Sequence, residues 1–155
     1  LPLLRWIAPL REIIHFENDF MEARYRQLRS SWEAGDRDRE RALHLIFYAW
    51  MHWADPSFVT GMSEDSSAAN LWFDVYDYFG GEESSDAEFL HVAGMMVHIL
   101  PWALGDEKTW GAIAHRMKLR SIELCPEGFP PELFEGRGKY GEYFANQSRG
   151  APIHS

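Results

Sequence analysis

The chain has 155 residues, with 15 Lys and Arg against 24 Asp and Glu and hence a formal net charge of −9. Its length indicates one domain, and a hydrophobic fraction of 46% excludes global disorder. No apolar run reaches the ~18 residues of a membrane span, and a single cysteine, Cys125, excludes a disulfide-stapled scaffold. Together with an N-terminal stretch too short for a signal peptide, these features predict a cytoplasmic protein.

Apolar residues repeat with helical spacing along most of the chain. The first helix is predicted from about Pro9 to Trp32, with Gly35 ending it. Asp36 is the expected N-cap of the second helix, over about 37–54. This second helix is apolar on all sides after its first turn, so we expect it to be the most buried element.

The second half of the chain is predicted to be helical between turns rich in Gly and Asp, after a loop over 56–67. The expected helices cover about 68–79, 87–104, 107–125, 131–135 and 140–146. Pro101 is expected to kink or end the helix in which it lies. The predicted fold is therefore all-α, with five or six helices in an irregular bundle or a short stack of helical hairpins. We expect a single domain over 1–145 and a loose tail over 146–155.

One pattern recurs with a shift of 70 residues. Trp32-x-x-Gly35-Asp36 is followed by Trp102-x-x-Gly105-Asp106, each at the end of a predicted helix. The echo indicates either a duplicated helical hairpin or two independent Gly-Asp turns of a kind that often joins helices.

The negative charge is concentrated in the middle of the chain. The 66 residues between Arg41 and Lys108 contain no Lys or Arg. Buried helix explains the lack of charge over 42–54 and 89–104, but residues 55–88 are polar and carry acids only. Such a face attracts a cationic partner and repels nucleic acid and anionic lipid. The alternative is a solvated face that serves solubility alone.

We therefore expect a non-enzymatic protein-binding module of the adaptor or inhibitor/immunity kind, whose acidic face docks on a basic protein surface. No nucleic acid or membrane partner and no cofactor is expected. The predicted contact residues combine aromatic anchors with carboxylates that select charge. They are Trp72, Asp74, Tyr76, Asp77, Glu82, Glu83 and Asp86. A homo-oligomer formed through exposed aromatics is an open alternative.

A competing interpretation is an enzyme with a transition metal such as iron, manganese or zinc. Glu12-x-x-His15 and Glu88-x-x-His91 have the spacing that di-iron carboxylate bundles use, because residues three apart share a helical face. The site would lie between the second and fourth predicted helices. Its expected ligands are Glu40, His44, Glu88, His91 and His98. Histidines satisfied within an aromatic core explain the same pattern without metal.

Overall fold

The computed structural model describes residues 20–54, 65, 67–99 and 101–149. These residues form helices joined by turns, without a strand, which confirms the all-α prediction. The helices are α1 (20–33), α2 (Arg39–Ala54), α3 (Ala68–Phe79), α4 (Ala87–Ile99), α5 (Pro101–Leu104), α6 (Glu107–Leu124) and α7 (Gly138–Arg149). Two short 3-10 turns cover Gly81–Glu83 and Pro131–Phe134.

The chain divides into two compact units, Leu1–Ala69 and Asn70–Ser155. The predicted extent of one domain over 1–145 stays a prediction. The first half of the predicted N-terminal helix and most of the predicted 56–67 loop lie outside the described residues. At the C-terminal end, α7 runs to Arg149, three residues beyond the helix expected there.

In the first unit, α2 is the buried element that the sequence predicts. Every residue from 42 to 50 is buried, because this segment is apolar on all sides. Helix α1 packs on it through Tyr25 and Leu28, which are also buried. The ring of Tyr25 lies against His52, with ring centroids 4.0 Å apart.

The turn between α1 and α2 corrects the expected helix cap. Gly35 adopts φ 102°, and the amides of Gly35 and Asp36 donate to the carbonyls of Trp32 and Ser31 at 3.0 and 2.9 Å. Because Asp36 completes this turn, α2 begins later, and its cap is Asp38, whose carboxylate accepts from the Arg41 amide at 2.9 Å. Asp36 binds the Arg41 guanidinium instead, at 2.6 Å.

In the second unit, α4 and α6 pack closely. A Cβ added at Gly94 would lie 3.3 Å from Met117 Cβ, so the glycine permits the close approach. Two hydrogen bonds fix the register of the helices: Ser121 Oγ donates to the Ala87 carbonyl at 3.1 Å, and Arg120 Nε donates to the Ser84 carbonyl at 2.7 Å. This contact determines which face of α6 points outward.

The second Gly-Asp turn differs from the first. Helix α4 ends at Ile99, and α5 starts at Pro101, in agreement with the predicted break at this proline. Asp106 then caps α6 by accepting from the Thr109 amide at 2.9 Å. Asp36 does not cap α2, so this difference favours two independent Gly-Asp turns over a repeated one.

Gly141 and Gly111 provide a matched pair of helical glycines. A Cβ at Gly141 would lie 2.1 Å from the Phe134 carbonyl oxygen, whereas a Cβ at Gly111 would meet nothing within 4 Å. We expect Gly141→Ala to lower the free energy of unfolding by several kcal/mol, because the backbone of the 3-10 turn has to move. Gly111→Ala is expected to raise it by about 0.5–1 kcal/mol through helix propensity. Urea unfolding followed by circular dichroism measures both, and equal effects of the two substitutions would contradict this packing.

Candidate functional site

Helix α3 has two chemically opposite faces. Its apolar side chains recur at helical spacing and are buried, and its polar ones share the other side. The buried residues are Leu71, Trp72, Val75 and Tyr76. The exposed residues are Asn70, Asp74, Asp77 and Tyr78. The acidic residues of this helix therefore lie on its solvent side.

Two of the predicted contact residues lie in the core instead. Trp72 has no exposed surface, and its indole N–H donates to Met96 Sδ at 3.5 Å. Tyr76 stacks on Trp72, with ring centroids 5.0 Å apart, and burial together with the Glu82 charge raises its pKa to about 12. Neither side chain is available as a surface anchor, because both belong to the apolar face that α3 turns inward.

The predicted carboxylates have three different environments. Asp74, Asp77 and Glu83 are exposed, and their side chains make no ion pair or hydrogen bond with any other residue that the structure describes. Glu82 binds Arg116, with Oε2 2.7 Å from Nε. Asp86 accepts from the Phe89 amide at 3.1 Å and so caps α4. Three of the five predicted carboxylates thus remain uncompensated.

Tyr78 is the aromatic residue that the sequence analysis missed. It keeps 47% of its surface exposed and lies one turn after Asp74 on the same side of α3. Its position was readable from spacing: Trp72 and Tyr76 are four apart on the apolar face, and Asp74 and Tyr78 are four apart on the polar one. Composition alone does not separate the two pairs.

The acidic region before α3 is partly neutralised where it is described. Residues 55–64 and 66 lie outside the described part. Asp65 forms an ion pair with Arg29 and accepts a hydrogen bond from Tyr25 in α1. Burial opposes ionisation of Asp65, but hydrogen bonds from Ser67 and Tyr25 and the Arg29 charge lower its pKa to about 2. Asp65 is therefore part of the internal structure of the first unit.

Glu88 is bound inside the second unit. Its carboxylate lies 2.6 Å from Nη2 of Arg137 and accepts a hydrogen bond from the hydroxyl of Tyr140 at 2.6 Å. The side chains of Glu88 and Arg137 are largely buried, with 9% and 18% of their surface exposed. Because Arg137 and Tyr140 come from the C-terminal segment, this cluster fastens that segment to α4.

The predicted metal ligands do not converge. Among the described residues, no group of three or more His, Cys, Asp or Glu side chains is arranged to hold a metal ion. Glu40 and His44 pair with each other, with Oε2 3.0 Å from Nε2. Glu88 is occupied by Arg137, and His98 is exposed. The Glu-x-x-His spacing of α4 thus reflects an ion pair and a core histidine.

His91 is that core histidine. Its ring stacks on Phe129, with centroids 4.6 Å apart and an interplanar angle of 16°. Burial lowers its pKa to about 4, although the Glu88 charge acts in the opposite direction. The imidazole is therefore neutral near pH 7.

Compared with known proteins, the chain matches no family model, no curated protein and no solved structure. None of the described helices combines the length and the apolar composition that crossing a membrane requires. The function is accordingly argued from the exposed side chains of α3 and of the turn that follows it.

The Glu88 cluster yields a stability prediction. We expect Glu88→Gln to lower the free energy of unfolding by about 2 to 3 kcal/mol, because the amide leaves the Arg137 charge uncompensated. Urea unfolding measures the loss. Glu123→Gln, at an exposed position, is the matched control and should stay within about 0.5 kcal/mol of the wild type. Equal losses in the two variants would contradict a structural role for the cluster.

His91 yields a pH prediction. Its pKa is lower in the folded protein than the ordinary 6.5, so the unfolded chain binds the proton more readily. The free energy of unfolding therefore falls as the pH drops from about 6.5 to 4. His91→Phe keeps an aromatic ring against Phe129 and should reduce this fall in thermal unfolding measured across that range. His98→Gln, at an exposed position, should leave the fall unchanged, and a matching effect there would overturn the assignment.

Proposed function

We propose that this chain is a non-enzymatic protein-binding module that docks on a basic protein through Asp74, Asp77, Tyr78 and Glu83. These four residues are named here the α3 acidic surface. The observation that supports the proposal most directly is that Asp74 and Asp77 lie exposed on one side of α3 without a cation from the described residues.

The chemistry of this surface suits a cationic protein. Asp74 and Asp77 are three residues apart, so their charges add on one side of the helix. Uncompensated carboxylates create a negative potential that steers basic partners and repels nucleic acid and anionic lipid. Tyr78 adds an exposed ring over which an arginine of the partner can stack. Acidic residues around an exposed aromatic are a common composition for an interface that selects charge.

The surface is rigid before binding. The opposite face of α3 is fixed by the stack of Trp72 on Tyr76 and by the indole contact to Met96. Glu83 is placed by a tight turn that starts at Gly80, where φ is 99°. A preformed surface loses little conformational freedom on association, which favours specific binding. The proposal includes a reducing, cytoplasmic location, in keeping with Cys125 as the only cysteine.

Charge reversal on α3 tests the proposal. Proteins captured from the source-cell lysate at low salt are purified, and their affinity for the wild type is measured by titration calorimetry. We expect a basic partner whose affinity falls at least about tenfold in Asp74→Lys/Asp77→Lys, because like charges then face each other. Tyr78→Ala is expected to weaken the same complex, and added salt to weaken it further.

A second pair of acids provides the control. Glu132→Lys/Glu142→Lys makes the same change in net charge at exposed positions outside α3. This control variant should retain the affinity of the wild type. A partner that both double variants bind equally, or equal binding of all three proteins at every salt concentration, would show that the α3 acidic surface serves solvation only.

A further inference from the structure

Helix α6 carries a second exposed stripe, independent of α3. Its members recur with spacings of four and three residues, which places them on one side of the helix. They are Lys108, Ala112, His115, Leu119 and Ile122, and all five are exposed. Leu119 and Ile122 keep 48% and 50% of their surface accessible, so the C-terminal half of this α6 outer stripe is apolar.

The packing of α6 prevents this helix from turning the stripe inward. Met117 meets Gly94 on the opposite side of α6, at about 160–200° from Leu119 for 100° per residue. Ser121 on that side donates to the Ala87 carbonyl of α4. Rotating α6 to cover Leu119 would break both contacts. The α6 outer stripe is thus a permanent outer face of the second unit.

The charges beside the stripe indicate an acidic occupant. Lys118 lies on one flank and Arg116 on the other, and Lys108 is a member of the stripe, against one acid at Glu123. Arg116 is bound to Glu82. Lys108 and Lys118 make no ion pair or hydrogen bond with another residue in the described part of the chain. An apolar stripe with free cations fits a helix that has an apolar seam and acidic flanks.

The same charges disfavour a second copy of this chain. An antiparallel pair of α6 helices that interleaves Ala112 with Ile122 brings Lys118 near its own counterpart, and likewise Arg116. A parallel pair aligns Lys108 with Lys108 and His115 with His115 in the seam between the helices. Like charges at these positions oppose pairing in either direction.

We infer that the α6 outer stripe is a docking site for an acidic amphipathic helix of another protein. Leu119 and Ile122 interlock with the apolar seam of that helix, and Lys108 and Lys118 pair with its acids. This site is separate from the α3 acidic surface, so the chain presents two surfaces that select partners of opposite charge.

A designed peptide tests the inference. The probe is a three-heptad helix with Leu at positions a and d and Glu at e and g, labelled for fluorescence anisotropy and added to the full chain. The glutamates oppose pairing of the peptide with itself. We expect saturable binding that weakens at least about tenfold in Leu119→Ser/Ile122→Ser, because two large apolar contacts are lost. Lys118→Glu is expected to weaken binding and to reduce its salt dependence.

Three controls define the outcomes. Leu133→Ser removes an equally exposed leucine outside the stripe and should leave the affinity unchanged. The same peptide with Lys in place of Glu should bind more weakly. Absence of binding, equal binding of the two peptides, or equal loss in Leu133→Ser would overturn the inference. So would a dimer of the wild type in light scattering that Leu119→Ser/Ile122→Ser dissociates, since the stripe would then be a contact between copies.

Discussion

The close contact of α4 and α6 determines the surface chemistry of the second unit. Gly94 lets Met117 approach, and Ser121 locks the register on the Ala87 carbonyl. Once this side of α6 is committed to the core, its other side has to face outward. The Arg120 bond to the Ser84 carbonyl extends the same contact to the turn that carries Glu83. One helix pair therefore positions both the apolar residues of α6 and part of the acidic surface.

The polar groups inside this unit serve structure. Glu88 has the spacing of a metal ligand relative to His91, yet its two oxygens are taken by Arg137 and Tyr140. Burying a carboxylate is costly unless it is paired and hydrogen-bonded, and the C-terminal segment supplies both kinds of partner. Once Glu88 is paired in this way, His91 is left as a neutral ring in an aromatic layer with Phe129. The chemistry open to exchange with other molecules is on the surface.

Local patterns predicted most of the helices, because apolar spacing, Gly turns and Pro101 act within a few residues of one another. They placed the cap of α2 two residues early, since the hydrogen bonds of the Gly35 turn extend to Asp36. They also assigned Trp72 to the surface, although the spacing of α3 turns it inward and leaves Tyr78 outside. The pairing of Glu82 with Arg116 and of Glu88 with Arg137 spans 34 and 49 residues, and only the folded chain brings such partners together.

The ion pair of Glu82 and Arg116 joins the two charged regions of the second unit. Glu82 precedes Glu83 of the α3 acidic surface, and Arg116 flanks the stripe on α6. Both side chains are partly exposed, so the pair contributes at most about 1 kcal/mol to stability. Its electrostatic effect is larger than its stability, because it neutralises the acid and the base that lie nearest to each other. The charges that remain, Asp74 and Asp77 on α3 and Lys118 on α6, each face solvent, so that each is available to an external group of the opposite sign.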